Sequence, residues 1–271
     1  MIPKSGNRFS DKIVRKQNVM TPRLDIVIPV YNEGNIILAT LGALRQQVTA
    51  PSRILICYDS PDDDTLSTIE ANPEQVDGLT IEFVRNRSRG AHAAVMTGFA
   101  ASRAPFVLMF PADDDFNAGI IDAMLAKGEQ GTDVVCASRF IPGGCMVGCR
   151  WLKAFLVRTA AFTLHYVARL PTRDATNGFR LFSRRVIERI EVESDSGFCY
   201  SLEMLVKCHR LGWPVADVPA KWFERKQGTS RFQVLTWVPA YLRWYFYAFA
   251  TTFLRLPANS VKQRSVWKIA K

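Results

Sequence analysis

Leu24-Asp25-Ile26-Val27-Ile28-Pro29-Val30 is a short apolar run closed on both sides by turn-forming residues, which predicts a buried β-strand. Outward from it the chain alternates. Residues 35–47 have helical apolar spacing, 53–57 read as a second strand and 62–71 as a helix. A third strand is predicted at 79–84, an Ala-rich helix at 90–102, a fourth strand at 106–110, a helix at 119–127 and a fifth strand at 133–137. Strands separated by helices imply right-handed βαβ units, so the fold class is α/β, with a mostly parallel sheet flanked by helices on both faces.

After residue 138 the rhythm changes. A Gly-rich loop, Ile141-Pro142-Gly143-Gly144, leads to a long apolar and basic helix at 151–169. A loop at 172–178 and short segments up to Ile190 follow. A helix near 201–211, a strand-like 215–218 and an element at 234–254 rich in Trp, Tyr and Phe complete the chain.

The 271 residues suffice for one sizeable domain with an appendage, and the formal net charge of +10 is unevenly spread. Residues 1–23 carry +5 and residues 262–271 carry +4, which leaves the body near neutral. Basic ends over a neutral body fit a solvated tail or an anionic lipid surface better than nucleic acid, which is the poorest reading and is not expected as a partner. The first residues have no apolar run of the signal-peptide kind. Six cysteines form no CxxC pair; most lie in apolar runs and read as small buried hydrophobes of a reducing compartment. Cys145 and Cys149 without neighbouring histidines make a poor zinc site.

In an open α/β sheet, ligands bind beyond the carboxyl ends of the strands. Those ends read Pro29-Val30-Tyr31-Asn32-Glu33, then Tyr58-Asp59-Ser60-Pro61-Asp62, then Arg85-Asn86-Arg87, then Pro111-Ala112-Asp113-Asp114-Asp115. Asp113 and Asp115, two apart on a turn, can hold Mg²⁺ or Mn²⁺ and leave positions for phosphate oxygens. The same triplet also reads as an acidic cap on the helix near 119. No GxxxxGK[ST], GxGxxG or GxSxG is present, and His92, His165 and His209 sit among apolar neighbours in helical segments. Nucleophilic catalysis is therefore not the expectation.

The run Ile26 to Glu33 resembles the opening strand of the family-two inverting glycosyltransferases with the GT-A fold. Asp59-Ser60-Pro61-Asp62 is similar to that family's second-strand acidic motif, and Arg89-Gly90 followed by Ala93, Ala94 and Gly98 to its Gly-led helix. Pro111-Ala112-Asp113-Asp114-Asp115 stands where the metal motif belongs. Ser138-Arg139-Phe140 with Gly143-Gly144, Asp174-Ala175-Thr176-Asn177-Gly178-Phe179-Arg180, and Arg225 with Gly228-Thr229-Ser230-Arg231 extend the likeness. The last group looks most like the polyprenyl-phosphate hexose transferases, the group of dolichol-phosphate mannosyltransferase. Two departures stand out. Pro111 replaces the first Asp, which shifts coordination to Asp113 and Asp115, and the second-strand motif is one residue longer than usual.

The resemblance implies a metal-dependent, inverting transfer of a hexose from a UDP- or GDP-sugar to a polyprenyl (dolichyl or undecaprenyl) phosphate. Asp113 and Asp115 would be the catalytic and metal-holding pair. Pro29, Tyr31, Glu33, Asp59, Arg89, Gly90 and Asp113 would bind the nucleotide sugar. Arg139, Arg158, Asn177, Arg225, Ser230 and Arg231 would bind acceptor or phosphate, because guanidinium forks match phosphate oxygens. Asp174 and Glu203 would orient those arginines, serve as base or form plain salt bridges. A phosphate monoester is already anionic near neutral pH and needs no base.

The implied organisation is a basic, disordered tail at 1–23, a GT-A domain at 24–232, an aromatic helix at 233–256 that lies on a membrane or packs on the protein, and a basic tail at 257–271. Arg243 near its middle and Pro239 after its first turn argue against a spanning helix. The expected location is cytoplasmic and peripheral to the membrane. A homo-oligomer stays open. Two other readings compete: transfer to a soluble saccharide, which needs a base, and a non-catalytic nucleotide-sugar-binding or membrane scaffold protein.

Overall fold

The structure, a computed structural model, describes residues 21–224 and 234–264. The first half is a run of βαβ units. β1 (Leu24–Pro29), β2 (Ser52–Tyr58), β3 (Ile81–Arg85) and β4 (Phe106–Met109) are joined by α1 (Ile37–Gln47), α2 (Asp64–Ala71) and α3 (Ala91–Ala101). A 3₁₀ turn, Ala118–Ile120, leads into α4 (Ile121–Glu129) and β5 (Val134–Ser138). The predicted strands and helices of this half all appear, with ends moved by a few residues.

Beyond β5 lie β6 (Cys145–Val147), α5 (Trp151–Phe162), a π-helical turn Thr163–Val167, β7 (Arg180–Ser183) and α6 (Arg184–Arg189). They are followed by α7 (Cys199–Arg210), β8 (Val215–Pro219), β9 (Lys221–Phe223), α8 (Val234–Phe253) and a 3₁₀ turn at Ala258–Ser260. The single helix expected at 151–169 is therefore α5 plus a π turn, and the short segments before Ile190 resolve into β7 and α6. β6 pairs parallel with β9 as a separate two-stranded sheet.

The main sheet has the order β3-β2-β1-β4-β7-β5-β8. All its pairings are parallel except those of β7, which runs antiparallel between β4 and β5. The order reverses at β1, flanked by β2 and β4, and a crevice opens where such a sheet reverses. That places the loops after β1 and β4 on its two walls.

Both faces of the sheet are covered, as parallel strands require. Val27, Leu55, Cys57, Val107 and Met109 face one core with α3, α7 and α8. Leu24, Ile26, Ile28, Ile56 and Leu108 face the other, with α1 and α4. α3 lies so close that a Cβ on Gly98 would come within 2.4 Å of Val27 Cγ1. The one charge in the opening strand, Asp25, is fully buried but well satisfied. It accepts from Arg53 Nε at 2.9 Å and Nη2 at 3.0 Å and from the Ala104 backbone at 2.8 Å. Burial alone would raise its pKa; these bonds outweigh it and hold the carboxyl below its ordinary value.

α8 packs along α7 with Trp244 and Ala248 buried. Glu193 ties this region together, pairing with Lys207 at 2.8 Å, Arg243 at 2.9 Å and Lys262 at 3.0 Å. No helix among the described residues is long and apolar enough to cross a membrane. Cys57, Cys136, Cys199 and Cys208 are buried free thiols, as their apolar settings predict. The expected N-terminal tail up to residue 20 and the end from 265 lie outside the described residues.

Candidate active site

The wall after β1 is built by its neighbours. Asp63, almost fully buried, accepts from the Asn32 backbone at 3.1 Å and caps α2 by accepting from Thr65 N at 2.9 Å. Thr65 Oγ1 takes the Glu33 N–H at 2.9 Å, and Asp64 takes that of Gly34 at 2.9 Å. The loop bearing Tyr31 and Glu33 is thus clamped onto the start of α2, with Asn32 at a positive φ of 53°. This gives the longer second-strand motif a structural reason: its later carboxylates, Asp63 and Asp64, hold the β1 loop.

Asp59, at the motif's start, accepts from Asn86 Nδ2 at 2.8 Å and from Gly90 N at 2.8 Å. Gly90 is the N-cap of α3 at φ 94°, a conformation that glycine adopts without Cβ strain. Asp59, Arg89 and Gly90 are thereby held together beside the crevice, while Pro29 ends β1 and Tyr31 is exposed.

On the opposite wall the three aspartates divide their work. Asp114 is the cap: it accepts from Phe116 N at 3.1 Å, from Asn117 N at 3.0 Å and from Asn117 Nδ2 at 2.7 Å. Burial pushes its carboxyl up to about 6, against the pull of those bonds. Asp113 and Asp115, either side of it, are exposed. The capping reading of the triplet therefore belongs to Asp114. Two exposed hard carboxylates fit a Mg²⁺ or Mn²⁺ that draws its remaining ligands from phosphate and water. Among the described residues, no group of three or more His, Cys, Asp or Glu is placed to hold a metal.

Two residues that sequence reasoning passed over fix this loop. Thr40, buried in α1, donates to the Ala112 carbonyl at 2.7 Å. Asn117, also buried, exchanges bonds with the Lys221 backbone, donating at 2.7 Å and accepting at 2.8 Å. Only a polar residue in an otherwise apolar helical face could have pointed to Thr40. Asn117 sits at a predicted helix start, where capping explains it locally and hides its link to β9.

Further along the sheet, Arg139 lies just past β5 and meets the loop before β7. Its Nε and Nη2 donate to the two oxygens of Asp174 at 2.7 and 2.9 Å, and Nη2 reaches Thr176 Oγ1 at 2.8 Å. Nη1 lies 3.8 Å from Met146 Sδ. Burial raises the Asp174 pKa, but Arg139 outweighs it and holds the carboxyl below its ordinary value. Of the roles open to Asp174, the structure selects the orientation of Arg139: a fully buried, ion-paired carboxylate is no base for a substrate hydroxyl.

Arg180 braces the same loop from below. It is fully buried and donates to the Ala175 carbonyl at 2.5 Å, to Ser201 Oγ at 2.8 Å and to the Ser201 carbonyl. Asp217 in β8 completes the support, accepting from Thr172 Oγ1 at 2.5 Å and from Arg173 N at 2.8 Å. Asn177 bonds the Ala137 carbonyl at 2.8 Å and so acts here as a strut. Arg158 in α5 lies over the Phe140 ring at 5.9 Å, on a cleft of about 250 Å³ shared with Phe162, His165, Tyr166 and Arg173.

Of the roles open to Glu203, the structure shows the salt bridge. It is fully buried in α7, 2.6 Å from Lys207 Nζ, and accepts from Glu193 N at 2.6 Å and Ser194 N at 2.8 Å. Its burial and this saturated set make it a structural carboxylate, neither base nor partner of the arginines named above. Arg225, Ser230 and Arg231 lie outside the described residues.

The profile of glycosyl transferase family 2 matches residues 25–191, more than half of the chain. Polyprenol monophosphomannose synthase of Mycolicibacterium smegmatis is 26% identical over 219 residues, 78% of this chain and 81% of that protein. Undecaprenyl-phosphate mannosyltransferase of Micrococcus luteus is 26% identical over 216 residues, 77% of this chain and 87% of its own. Among solved structures, glucosyl-3-phosphoglycerate synthase of Mycobacterium tuberculosis, in complex with Mn²⁺, uridine diphosphate and glucosyl-3-phosphoglycerate, shares the fold. Its TM-score is 0.61 at 15% identity, covering 86% of this chain and 80% of that one. With the reversal of the sheet at β1 and the acidic loops that face each other across it, these matches mean that the chain is a glycosyltransferase and belongs to glycosyl transferase family 2.

Proposed function

We propose that the enzyme transfers a hexose from a UDP- or GDP-sugar to a polyprenyl phosphate, with inversion at the anomeric carbon, at a membrane surface. The observation that carries the choice of acceptor is the state of the two carboxylates a hydroxyl acceptor would call on. Asp174 and Glu203 are both buried and paired with cations. An acceptor that arrives as an anion needs neither. The relatives named for polyprenol and undecaprenyl phosphate, each matched over more than three quarters of this chain, support the same reading.

In this reading Tyr31, Glu33, Asp59, Arg89 and Gly90 hold the nucleotide on the β1–β2 side of the crevice. Asp113 and Asp115 hold Mg²⁺ or Mn²⁺, with Asp114 and Asn117 keeping their turn rigid. A divalent ion, when bound, offsets the charge of the donor diphosphate and stabilises it as leaving group. The Mn²⁺ and uridine diphosphate of the mycobacterial structure support that assignment. Arg139, its Nε edge fixed by Asp174, presents Nη1 to the acceptor phosphate, with Arg158, Arg225, Ser230 and Arg231 as further donors. The protein's main contribution is to align two anionic reactants and offset their repulsion.

The test is incubation with a panel of nucleotide sugars, Mn²⁺ or Mg²⁺ and a short-chain polyprenyl phosphate, read as glycolipid by mass spectrometry. Glycolipid that requires metal and disappears in an Asp113→Ala, Asp115→Ala variant is expected. Transfer to free saccharides in place of glycolipid would overturn the acceptor assignment.

A further inference from the structure

The two-stranded sheet of β6 and β9 joins the two halves of the site. On one side Asn117, in the turn that follows Asp113 and Asp115, bonds the Lys221 backbone in both directions, at 2.7 and 2.8 Å. On the other, Met146 Sδ lies 3.8 Å from Arg139 Nη1. Gly144 lets the chain segments come this close. A Cβ there would meet the Ser138 carbonyl oxygen at 2.5 Å and that of Ala220 at 3.1 Å. β6 can therefore follow closely on β5 and lie along β9, with Cys145 N donating to the Ala220 carbonyl at 3.0 Å.

The register pairs Met146 with Trp222, and residues paired across two strands point to the same face of their sheet. The thioether and the indole thus stand side by side on the face that meets Arg139. Trp222 is half-buried. Lys153 Nζ lies 4.8 Å from its ring centroid and 3.5 Å from Glu224 Oε2. The indole N–H donates to no group among the described residues. A half-open indole with an unused donor suits a ligand that has an apolar face and hydroxyls around its edge.

The proposed transfer puts such a ligand here. Its anomeric carbon has to stand between the diphosphate held at Asp113 and Asp115 and the phosphate oxygen held at Arg139. The hexose then lies along the element that joins those two places, which is the β6–β9 sheet. We infer that Trp222, with Met146 beside it, is the wall of the sugar subsite. The C–H face of a neutral pyranose lies against the indole, and one of its hydroxyls accepts the indole N–H. Met146, unbranched and polarizable, fills the gap between the sugar and Arg139. The inference deepens the proposed function and rests on it for the donor and acceptor sides of the crevice.

The test is calorimetric titration, with Mn²⁺ and without acceptor, of the wild type, Trp222→Leu and Trp222→Phe. The ligands are UDP, GDP, UDP-glucose, UDP-galactose, GDP-glucose and GDP-mannose. For any sugar nucleotide that the wild type binds, Trp222→Leu should weaken binding by about tenfold, because ring contact and N–H bond are both lost. The matching free diphosphate should bind with unchanged affinity, which also shows that the variant is folded. Trp222→Phe keeps a ring without the donor and should fall between the two. Equal losses for sugar nucleotide and free diphosphate, or no loss for either, would overturn the inference. So would unchanged donor binding with a raised KM for a short-chain polyprenyl phosphate, which would give this face to the acceptor. A wild type that binds none of the sugar nucleotides would overturn it together with the donor reading. The expected split in donor binding, with no sugar transferred to polyprenyl phosphate, would leave the subsite standing and remove the acceptor assignment.

Discussion

Asp174→Asn separates the orientation of Arg139 from every other role of that loop. The native carboxylate is fully buried and accepts from Arg139 Nε, Arg139 Nη2, Arg139 N and Thr176 Oγ1 at 2.7–3.0 Å. Asparagine keeps the shape, removes the charge and turns one acceptor into a donor that faces other donors. Arg139, its side chain only 9% exposed, then keeps its charge without an anion. Breaking a buried pair from one side costs about 3–5 kcal/mol. For a chain of this length that lowers the melting temperature by roughly 6–20 °C. The sign of the pH dependence follows from the native pKa, which lies below the ordinary value because Arg139 outweighs burial. A depressed carboxyl contributes stability that is present above the unfolded pKa and lost as pH falls through the native one, so the gap between wild type and variant should close below about pH 4. Urea titrations at neutral pH and at stepped acid pH measure it, and acceptor KM should rise in parallel. A variant within about 1 kcal/mol of wild type at neutral pH, or a gap that stays constant into acid, would refute the reasoning.

Other perturbations reach the remaining parts. Asp113→Ala with Asp115→Ala should cut transfer by about a thousandfold or more, yet leave urea stability within about 0.5 kcal/mol because both side chains are exposed. Burial raises the Glu193 carboxyl, but bonds from Lys207 and Lys262, with Arg243 near, bring it down to about 2. Glu193→Gln should therefore cost roughly 2–3 kcal/mol at neutral pH, and the difference should vanish as pH falls from about 5 to 2, read by thermal melts. Gly98→Ala drives a methyl into Val27 and Cys57 and should cost about 1–3 kcal/mol in denaturant titration, with donor KM little changed.

The half of the chain up to Ser138 was legible because each of its strands is apolar on both faces and each helix is bounded by turn chemistry, so period and punctuation agree. The positions of Asp59 and of the triplet 113–115, just beyond β2 and β4, were legible for the same reason. What stayed hidden is what depends on partners far away in sequence. β7 opens on Arg180, a charge that local pattern reading takes as a mark of surface, and the carbonyls of Ala175 and Ser201 together with Ser201 Oγ make its burial tolerable. Which member of the triplet at 113–115 caps the following turn could not be read until the bonds to Asn117 assigned that task to Asp114. Glu203 shows the converse case, an acid open to chemistry or to a salt bridge whose i+4 lysine decides for the salt bridge.

α5 is the sharpest case. Its sequence reads as an amphipathic helix and could as well line a core, because amphipathic spacing says that an apolar stripe exists and never what covers it. α8, with its denser aromatic run, looked the more surface-seeking of the two. In the structure α8 buries Trp244 and Ala248 and leaves Leu242, Phe246 and Phe253 open, whereas α5 buries one alanine. A covered stripe would be held by side chains from another element, and along α5 the apolar positions from Trp151 to Phe162 are mostly open. The acid-free charge pattern of the same stretch was present in the sequence all along. In the fold, Arg158 and Phe162 of that stretch line one cleft with Phe140, His165, Tyr166 and Arg173.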